Sequence, residues 1–509
     1  MYDLVCIGGG LSCSFTLVSL LERLGAQGTG ERDGALRRVA MLDRDGDFGV
    51  GLPYGRFAHP RVLLNETVQT MDVHGFGGWV ADQRARWLGM LQDDPDGGVV
   101  AWLAANDRAL SRAREDPAAY RPLHLPRRIF GLFVRERLHA SIDDARRHAS
   151  ADVDLLTGEA VLLTRDGSGA FRLGLRDGRV IHAGRVLLGV GSLPSSLAPH
   201  LAGLPGFVAN VCRDGPSLET VAADARLEQA ASKRAVIVGG NAAAMEAVYT
   251  LRHMSGLSAA LDEIVVISPS GFLPDGEPSP HETAFVAQRL RQLGSDAAEL
   301  TADHLMAVVT ADVEAARRAG YASLDYAAPI VEAFGRVFAG LTVREKRLFV
   351  ERYGKAFTRL RRHTPPEYAA AAKGLMARGK LRIMRGRATS VACSPTSRPG
   401  FTVMIRQEAE TLSLDAAVVV DCSGSEPLTR PSHPLLRNLL GQDDLARVNA
   451  AGAGIEVTSA LEASPGLFVM GPLLAGHSSD AAQIWRLESA PRICSLAQRL
   501  ATELATHIT

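Results

Sequence analysis

Three consecutive glycines, Gly8, Gly9 and Gly10, follow directly on a short apolar run near the amino terminus. A pyrophosphate must lie against bare backbone N–H groups at the positive end of a helix, and side chains would block its approach. Gly8 and Gly10 fill the first two positions of the pattern G-x-G-x-x-G, and Cys13, also a small residue, stands at the third. This turn therefore predicts a binding site for the phosphates of a dinucleotide.

A strand and a helix are predicted to hold the glycine turn in place. Residues 2–7 form an apolar run of β character, and leucines recur at helical spacing over residues 17–24. The next apolar run, 39–42, ends in Asp43, whose carboxylate would accept hydrogen bonds from both ribose hydroxyls of an adenosine. Residues 27–38 are polar and glycine-rich, which predicts a surface insertion before Asp43. A glycine turn beside a merely solvated acid is the alternative interpretation.

A similar pattern recurs in the middle of the chain. The apolar run 233–238 enters the turn Gly239-Gly240-Asn241, and the helical spacing that follows includes Glu246 before a further apolar run closes the repeat. These four residues are the candidate contacts to a second nucleotide, of the nicotinamide type. Asn241, however, stands where a second glycine normally admits the pyrophosphate.

The coenzyme preference of this second unit stays open. The residues after its second strand, Ser268-Pro269-Ser270, lack the arginine that would grip a 2′-phosphate, so NADPH has no support here. Three alternatives follow, in descending order. The protein uses NADH, or the unit has kept its fold with altered nucleotide contacts, or basic residues elsewhere in the chain bind the coenzyme.

An unusual combination of segments follows Asp43 and continues to the carboxyl end. It comprises Gly-Val-Gly-Leu-Pro-Tyr at 49–54, His59, Leu64-Asn65, Pro-Arg-Arg at 126–128, the strand and glycines of 186–194, Arg361-Arg362-His363, Gly454-Ile455, residues 468–473 and Trp485. With these segments the sequence resembles the bacterial FAD-NAD(P)-binding family, whose members include urate hydroxylase-like proteins. The resemblance extends over most of the chain and implies FAD together with NADH or NADPH as cofactors.

The resemblance also implies which residues meet the cofactor and the substrate. The further FAD contacts would be Gly51, Pro53, Tyr54, Asn65, Gly191, Gly471, Pro472 and Leu473. In flavoproteins of this build, a late strand and glycine close over the flavin, and a helix dipole there can stabilise negative charge on the reduced ring. Candidate catalytic contacts are Asn65, His59 and His363, although a structural role suits each histidine at least as well.

The order of these patterns predicts an α/β protein with two Rossmann-like dinucleotide-binding domains and a helical cap. The FAD-binding domain is expected to be discontinuous, formed by residues 1–200 and 381–509, with an NAD(P)-binding-like domain inserted at 201–280. Alanine-rich stretches and a charged helical run at 344–362 predict a helical cap or substrate region over 281–380.

Composition excludes several other classes of protein. Lysine plus arginine and aspartate plus glutamate both total 56, so no basic surface for nucleic acid is expected. The six cysteines include no C-x-x-C pair and no ligand-like cluster, so neither a redox dithiol nor a metal site is predicted. No signal peptide and no apolar run long enough to span a membrane is evident, so we expect a cytoplasmic protein without a membrane partner.

Together these features predict an FAD-dependent oxidoreductase. The favoured hypothesis is a single-component monooxygenase, in which NADH or NADPH reduces FAD and molecular oxygen then hydroxylates a small polar molecule, a purine such as urate or an amine. One alternative is an FAD oxidoreductase that passes electrons to an acceptor other than oxygen. Another is a flavin-stabilised binding protein without enzymatic activity.

Overall fold

The computed structural model describes most of the chain. The described residues are 1–26, 37–193, 195–211, 218, 221, 226–277, 279, 281, 283–293, 299–360, 363–395, 398–479, 482–483 and 489–506. Pro194, Cys212, Arg361, Arg362 and Trp485, which were singled out in the sequence, and most of the predicted insertion at 27–38 lie outside these residues.

Strands and helices alternate through much of the chain. The described strands are β1 Tyr2–Ile7, β2 Arg38–Asp43, β3 Asp152–Thr157, β4 Ala160–Arg165, β5 Phe171–Leu175, β6 Val180–Leu188, β7 Phe207–Val208, β8 Arg234–Val238, β9 Glu263–Ser268, β10 Leu381–Arg385, β11 Arg387–Cys393, β12 Phe401–Gln407, β13 Glu410–Ala416, β14 Val418–Asp421, β15 Glu462–Ser464, β16 Leu467–Val469, β17 Ser478–Ser479 and β18 Ala482–Gln483. The described α-helices are α1 Leu11–Ala26, α2 Gly51–Tyr54, α3 Phe76–Asp82, α4 Arg84–Gln92, α5 Gly97–Arg112, α6 Arg127–Arg147, α7 Arg226–Gln229, α8 Ala242–His253, α9 Ser255–Ala260, α10 Gln288–Gln292, α11 Ala302–Arg318, α12 Ser323–Ala339, α13 Val343–Leu360, α14 Pro366–Ala377, α15 Pro434–Leu440 and α16 Ala490–Thr506.

The first sheet joins both ends of the chain. Its main path runs β15-β16-β6-β1-β2-β3, and β4 and β5 extend from β6 as an antiparallel arm. β1 lies parallel between β2 and β6, and β16 pairs parallel with β6, so its inner strands are buried apolar runs. Helix α1 packs against α6 and the last helix, α16. The predicted assembly of one unit from both chain ends corresponds to this sheet.

The second sheet is parallel, with the order β10-β9-β8-β14-β7. Its strands β10 and β14 come from residues 381–421, and the antiparallel sheet β11-β12-β13 lies between them in sequence. The sequence placed the return to the first unit at residue 381, whereas strand pairing places it after Asp421. The boundary differs because neither β10 nor β14 is followed by a glycine-rich turn like those at Gly8 and Gly239. Only long-range strand pairing assigns β10 and β14 to the second sheet.

A separate hydrophobic core lies within the helical region. Helices α11, α12 and α13 bury a cluster of phenylalanines at residues 334, 338, 349 and 357, with the rings of Phe334 and Phe357 4.1 Å apart. Helix α14 instead packs against α8 beside the second sheet. The helices predicted for 281–380 therefore fall into two groups. Helices α11, α12 and α13 form a small helical body, and α14 packs on the second sheet. Among the described residues, no helix is both long enough and apolar enough to cross a membrane.

Candidate functional site

The first glycine turn is held tightly between two strands. Gly8 has φ of +112°, and a Cβ atom there would overlap the backbone of Gly189 at the end of β6. Gly10 differs, because a Cβ at this position would meet nothing closer than the Cα of Gly51 at 3.6 Å. Glycine is therefore required at Gly8 by the fold itself, whereas a Cβ at Gly10 would make only an ordinary van der Waals contact with Gly51 in front of helix α1.

The segment quoted for the family resemblance forms the opposite wall of this turn. The amide of Gly49 donates to the Gly9 carbonyl at 2.8 Å, and a Cβ at Gly51 would lie 3.1 Å from the Cα of Gly10. Both Gly49 and Gly51 have positive φ, at +97° and +59°. The spacing of glycines in this segment is thus explained by the close approach of two backbones.

Asp43 lies beside the turn, as the sequence predicts. One carboxylate oxygen, Oδ2, accepts the Gly9 amide at 3.0 Å, and Oδ1 accepts the amides of Asp45 and Asp47 at 2.9 and 3.2 Å. These hydrogen bonds fix the carboxylate at the carboxyl end of β2, where the adenosine ribose of a dinucleotide lies in this fold. Its contact with ribose hydroxyls stays a prediction.

A cavity of about 630 Å³ runs from this acid across the glycine turn to the second sheet. That volume is within the ordinary range of cofactor sites. Asp43, Asp45, Gly158, Glu159 and His433 line what we call its adenosine end, Gly8–Ser12 and Val50–Tyr54 line its middle, and Leu64, Asn65, Glu66 and Arg127 line what we call its far end. The lining also includes Ala160, Leu435, Met71, Asn241, Ala243, Pro472, Ser489, Ala490 and Ile493. Both dinucleotide units contribute to this one cavity.

Most of the residues predicted for FAD line this cavity. They are Gly8, Gly9, Gly10, Asp43, Gly51, Pro53, Tyr54, Asn65, Gly191 and Pro472. Asn65 stands out, because its side-chain Oδ1 is buried and accepts no hydrogen bond from a described residue. A buried acceptor of this kind is costly unless a ligand supplies a donor. The backbone donors of the glycine turn and this acceptor fit a dinucleotide that ends in a polar ring system.

The two histidines predicted as catalytic candidates do not line the cavity. The Nδ1 of His59 lies 3.8 Å from the Asp96 carboxylate, beside the buried Arg61, which pairs with Asp96 and donates to the Thr250 carbonyl at 3.1 Å. His59 thus belongs to the contact between its loop and helix α8. The Nε2 of His363 lies 3.6 Å from the carboxylate of Glu66, which does line the cavity, so His363 stands one residue behind the wall.

The late strand and glycine behave differently from the prediction. Gly471 has φ of +77° and packs against Ser12 of helix α1, but residues Gly471–Leu474 form one turn of 3-10 helix, and neither Gly471 nor Leu473 lines the cavity. The element is a single turn of four residues, the length at which 3-10 geometry is common. Helix α16 also reaches the cavity at its amino end, through Ser489 and Ala490.

The second glycine turn repeats the first with one substitution. Gly239 has φ of +111° and packs on the backbone of Cys422, and Gly240 packs on Ser268. Asn241 caps helix α8, since its Oδ1 accepts the Ala244 amide at 3.1 Å and its Nδ2 donates to the Cys422 carbonyl at 2.9 Å. Gly239 and Gly240 do not line the cavity, whereas Asn241 does.

Glu246 binds a protein residue, although the sequence placed it among the coenzyme contacts. Its Oε2 forms an ion pair at 2.8 Å with the Nη2 of Arg127, and its side chain is 3% exposed. Burial raises the pKa of the Glu246 carboxyl, and the Arg127 guanidinium opposes that rise. Glu246 therefore holds Arg127, and Arg127 lines the cavity.

Sequence reasoning missed several residues of the cavity wall. Arg127 was quoted only as part of a motif, and Glu66, Asp421 and His433 were not selected. A signal existed for Asp421, because it ends the apolar run of β14 just as Asp43 ends β2, and its carboxylate accepts the amides of Leu197 and Ser423 at 2.9 Å. Burial lowers the pKa of the His433 imidazole, which the sequence could not indicate.

Comparison with known proteins identifies the class to which this fold and cavity belong. The family model of FAD-NAD(P)-binding proteins matches residues 5–193. The uncharacterized proteins Rv3403c of Mycobacterium tuberculosis and Mb3437c of Mycobacterium bovis are each 30% identical over 529 aligned residues, which cover 100% of this chain and 96% of theirs.

Solved structures share the fold at low sequence identity. The reduced form of ornithine hydroxylase PvdA from Pseudomonas aeruginosa is 14% identical, with a TM-score of 0.57 and full coverage of both chains. The cadaverine monooxygenase DfoA of Erwinia amylovora, bound to FAD, is 12% identical, with a TM-score of 0.54 over 99% of this chain and 94% of that chain. These likenesses confirm the predicted α/β class.

The fold and the cavity define a flavoprotein with two dinucleotide units. The chain belongs to the FAD-NAD(P)-binding family, as the segments around 49–65 and 126–128 implied. The predicted cofactors, FAD and a nicotinamide coenzyme, are confirmed by this membership.

Proposed function

We propose that the protein is a single-component NAD(P)H-dependent flavin monooxygenase that hydroxylates a small polar molecule, either an amine or a purine such as urate. When bound, FAD supplies two-electron transfer from the coenzyme and the activation of molecular oxygen. The protein's own contribution is then to bind, orient and enclose the reactants.

The observation that carries this proposal is the single cavity to which both dinucleotide units contribute. Gly8, Gly9 and Gly10 line its middle, and Asn241 and Ala243, at the start of helix α8, line the same cavity as Asn65. A coenzyme held at the second turn would therefore extend toward the same space as a dinucleotide held at the first. That arrangement supports direct hydride transfer between the two ligands.

Each part of the wall has a distinct role in this proposal. The amides of the first turn would bind the pyrophosphate at the positive end of α1, and Asp43 would bind the adenosine ribose. Asn65 Oδ1 would accept a ring N–H at the far end. The amino end of α16, at Ser489 and Ala490, would favour negative charge there. The apolar side chains of Leu64, Met71 and Ile493 would exclude water.

The cysteines support an acceptor other than a protein disulfide. None of the five described cysteines forms a disulfide with another described residue, and among these five only Cys422 lines the cavity. A dithiol relay needs two thiols within reach of each other. Electrons that enter this cavity would therefore pass to oxygen or to a small organic acceptor.

The names of the fold neighbours support testing amines first. PvdA, DfoA and an L-lysine 6-monooxygenase from Pseudomonas syringae, with a TM-score of 0.51, are described as enzymes of ornithine, cadaverine and lysine. Glu66, a carboxylate on the wall at the far end, suits a cationic amine better than an anionic purine.

The experiment is to measure coenzyme oxidation, oxygen uptake and hydrogen peroxide together, with diamines, basic amino acids and purines added one at a time. The proposal predicts that one substrate raises oxygen uptake and yields one hydroxylated product per coenzyme, with little peroxide. Peroxide in proportion to coenzyme for every compound, or electron transfer only to an added quinone or dye, would contradict it and favour a non-oxygen acceptor.

A further inference from the structure

The two dinucleotide units of this chain repeat each other residue by residue. Gly8 and Gly239 have the same backbone angle, with φ of +112° and +111°, and each packs on the backbone that follows a neighbouring strand. Gly9 packs on Asp43, and the equivalent Gly240 packs on Ser268. Asp43 and Ser268 are therefore equivalent positions, each at the carboxyl end of the unit's second strand.

The equivalence extends to the third strand of each unit. Asp43 pairs in parallel register with Thr157 at the end of β3, and Ser268 pairs in the same way with Arg385 at the end of β10. The following residue is glycine in both units, and its amide donates to the carbonyl of Asp43 at 2.9 Å or of Ser268 at 3.0 Å. Thr157 thus corresponds to Arg385.

Two further positions follow from this register. Gly158 corresponds to Gly386, and Glu159 corresponds to Arg387. Three residues after the second strand, both units also have a glycine of positive φ, Gly46 at +68° and Gly271 at +74°, which packs against the side chain at the end of the third strand. In the first unit, Gly158 and Glu159 line the cavity at its adenosine end.

The charges at these equivalent positions are opposite in sign. The first unit has two carboxylates, Asp43 and Glu159, whereas the second has Ser268 with two guanidinium groups, Arg385 and Arg387. A carboxylate accepts hydrogen bonds from free ribose hydroxyls, but arginine has donors only. At this position the second unit can therefore bind a ligand group that accepts hydrogen bonds. The first unit can bind ribose hydroxyls, which donate them.

Both arginines are available to a ligand. A Cβ at Gly271 would lie 3.3, 3.6 and 3.8 Å from Cβ, Cγ and Cδ of Arg385, so this side chain runs over the turn that follows β9. Arg385 and Arg387 are exposed, and within the described part of the chain neither guanidinium forms an ion pair or a hydrogen bond. The hydroxyls of Ser268 and Ser270, 3.0 Å apart, lie at the same turn.

We propose that Arg385 and Arg387 bind the 2′-phosphate of an adenosine ribose, so that the coenzyme of the second unit is NADPH rather than NADH. Arginine binds phosphate through paired, charge-assisted hydrogen bonds, and the exposed hydroxyl of Ser270 adds a neutral donor, whereas Ser268 is buried and donates to the Phe272 carbonyl. The cation missing from Ser268-Pro269-Ser270 is supplied by the neighbouring strand β10. This inference rests on the proposed function only in that the second unit binds the coenzyme.

The test is calorimetric binding of 2′,5′-ADP and 5′-AMP to the purified FAD-loaded protein, two ligands that differ only in the 2′-phosphate. The wild-type protein is expected to bind 2′,5′-ADP at least about tenfold more tightly. The double variant R385T/R387E, which places the first unit's residues in the second, is expected to remove that advantage and leave 5′-AMP binding unchanged.

Arg382→Ser is the matched control. Arg382 lies on the same strand about 10 Å from Arg385 and pairs with Glu263, so its loss removes one positive charge of that strand away from the turn. The control should keep the preference for 2′,5′-ADP. Equal binding of the two ligands by the wild-type protein, no binding of either, or an unchanged preference in R385T/R387E would overturn the proposal. Binding requires no turnover, so a failed hydroxylation assay would leave this result intact.

Discussion

Arg127 and Glu246 form an ion pair, 2.8 Å long, between helix α6 and helix α8 of the second unit. The Nε of Arg127 also donates to the Leu63 carbonyl at 3.0 Å. These side chains are only 13% and 3% exposed, and Arg127 reaches the cavity wall beside Asn65. The pair therefore links the two units at the point where both contribute to the cavity.

Arg127→Ala is expected to be strongly destabilising. It leaves the Glu246 carboxylate buried without its cation, which typically costs about 3–5 kcal/mol. Arg128→Ala is the matched control, because Arg128 pairs with Asp94 at 2.8 Å in a more exposed position and should cost less than about 1 kcal/mol. Urea unfolding of both variants measures the difference. Equal losses of unfolding free energy would contradict the buried role of Arg127.

The same variant should show a distinctive pH dependence. Arg127 is the group that lowers the pKa of Glu246 against the effect of burial, so its removal raises that pKa further. The folded state of Arg127→Ala then holds a proton that the unfolded chain releases near 4.5, and its stability falls as pH rises through the window above that value. Unfolding free energies of the variant relative to wild type, measured from pH 4.5 to 8, should diverge with rising pH. A constant difference would show that Glu246 is not the responsible group.

Substitutions at Gly8 and Gly10 should separate folding from cofactor binding. Gly10→Val brings its Cβ into ordinary contact with Gly51, 3.6 Å from the Cα, and is expected to cost about 1 kcal/mol while it abolishes flavin retention. Gly8→Ala forces a Cβ into the backbone of Gly189 at positive φ and should cost at least about 1–3 kcal/mol. The flavin-to-protein absorbance ratio and urea unfolding measure both effects. Purified Gly10→Val that stays fully yellow would refute the assignment of the turn.

Asn65→Leu is expected to act in opposite directions on stability and binding. It removes a buried acceptor that has no described partner, so the apoprotein should be as stable as wild type or more stable. The affinity for FAD should fall about three- to tenfold, the value of one hydrogen bond. Fluorescence titration of apoprotein with FAD measures this. Gln69→Leu, at an exposed position of the same loop, is the control, and an equal effect there would contradict the role of Asn65.

Local sequence patterns predicted the two glycine turns, Asp43 and the α/β class, because each depends on a strand, a turn and a helix that are adjacent in the chain. Gly8 is a clear case, since the positive φ and the close backbone approach both demand glycine. The resemblance to a family added the segment at 49–54, which lies against the first turn.

Long-range packing decided the features that the sequence did not predict. Glu246 follows the second turn in sequence, and only the approach of helix α6 shows that it binds Arg127. In the same way, Arg385 lies more than one hundred residues after Ser268, and strand pairing alone brings them together. The absence of an arginine next to Ser268 favoured NADH in the sequence, whereas the register of β9 and β10 favours NADPH.

The measurement that tests the central claim most directly is an anaerobic absorbance titration of the purified protein with NADPH and with NADH, followed by admission of air. We expect the flavin absorbance to bleach at lower concentrations of NADPH than of NADH and to return when oxygen enters. A flavin that neither coenzyme reduces would contradict hydride transfer within the shared cavity, and a protein without flavin would contradict the assignment of the first glycine turn.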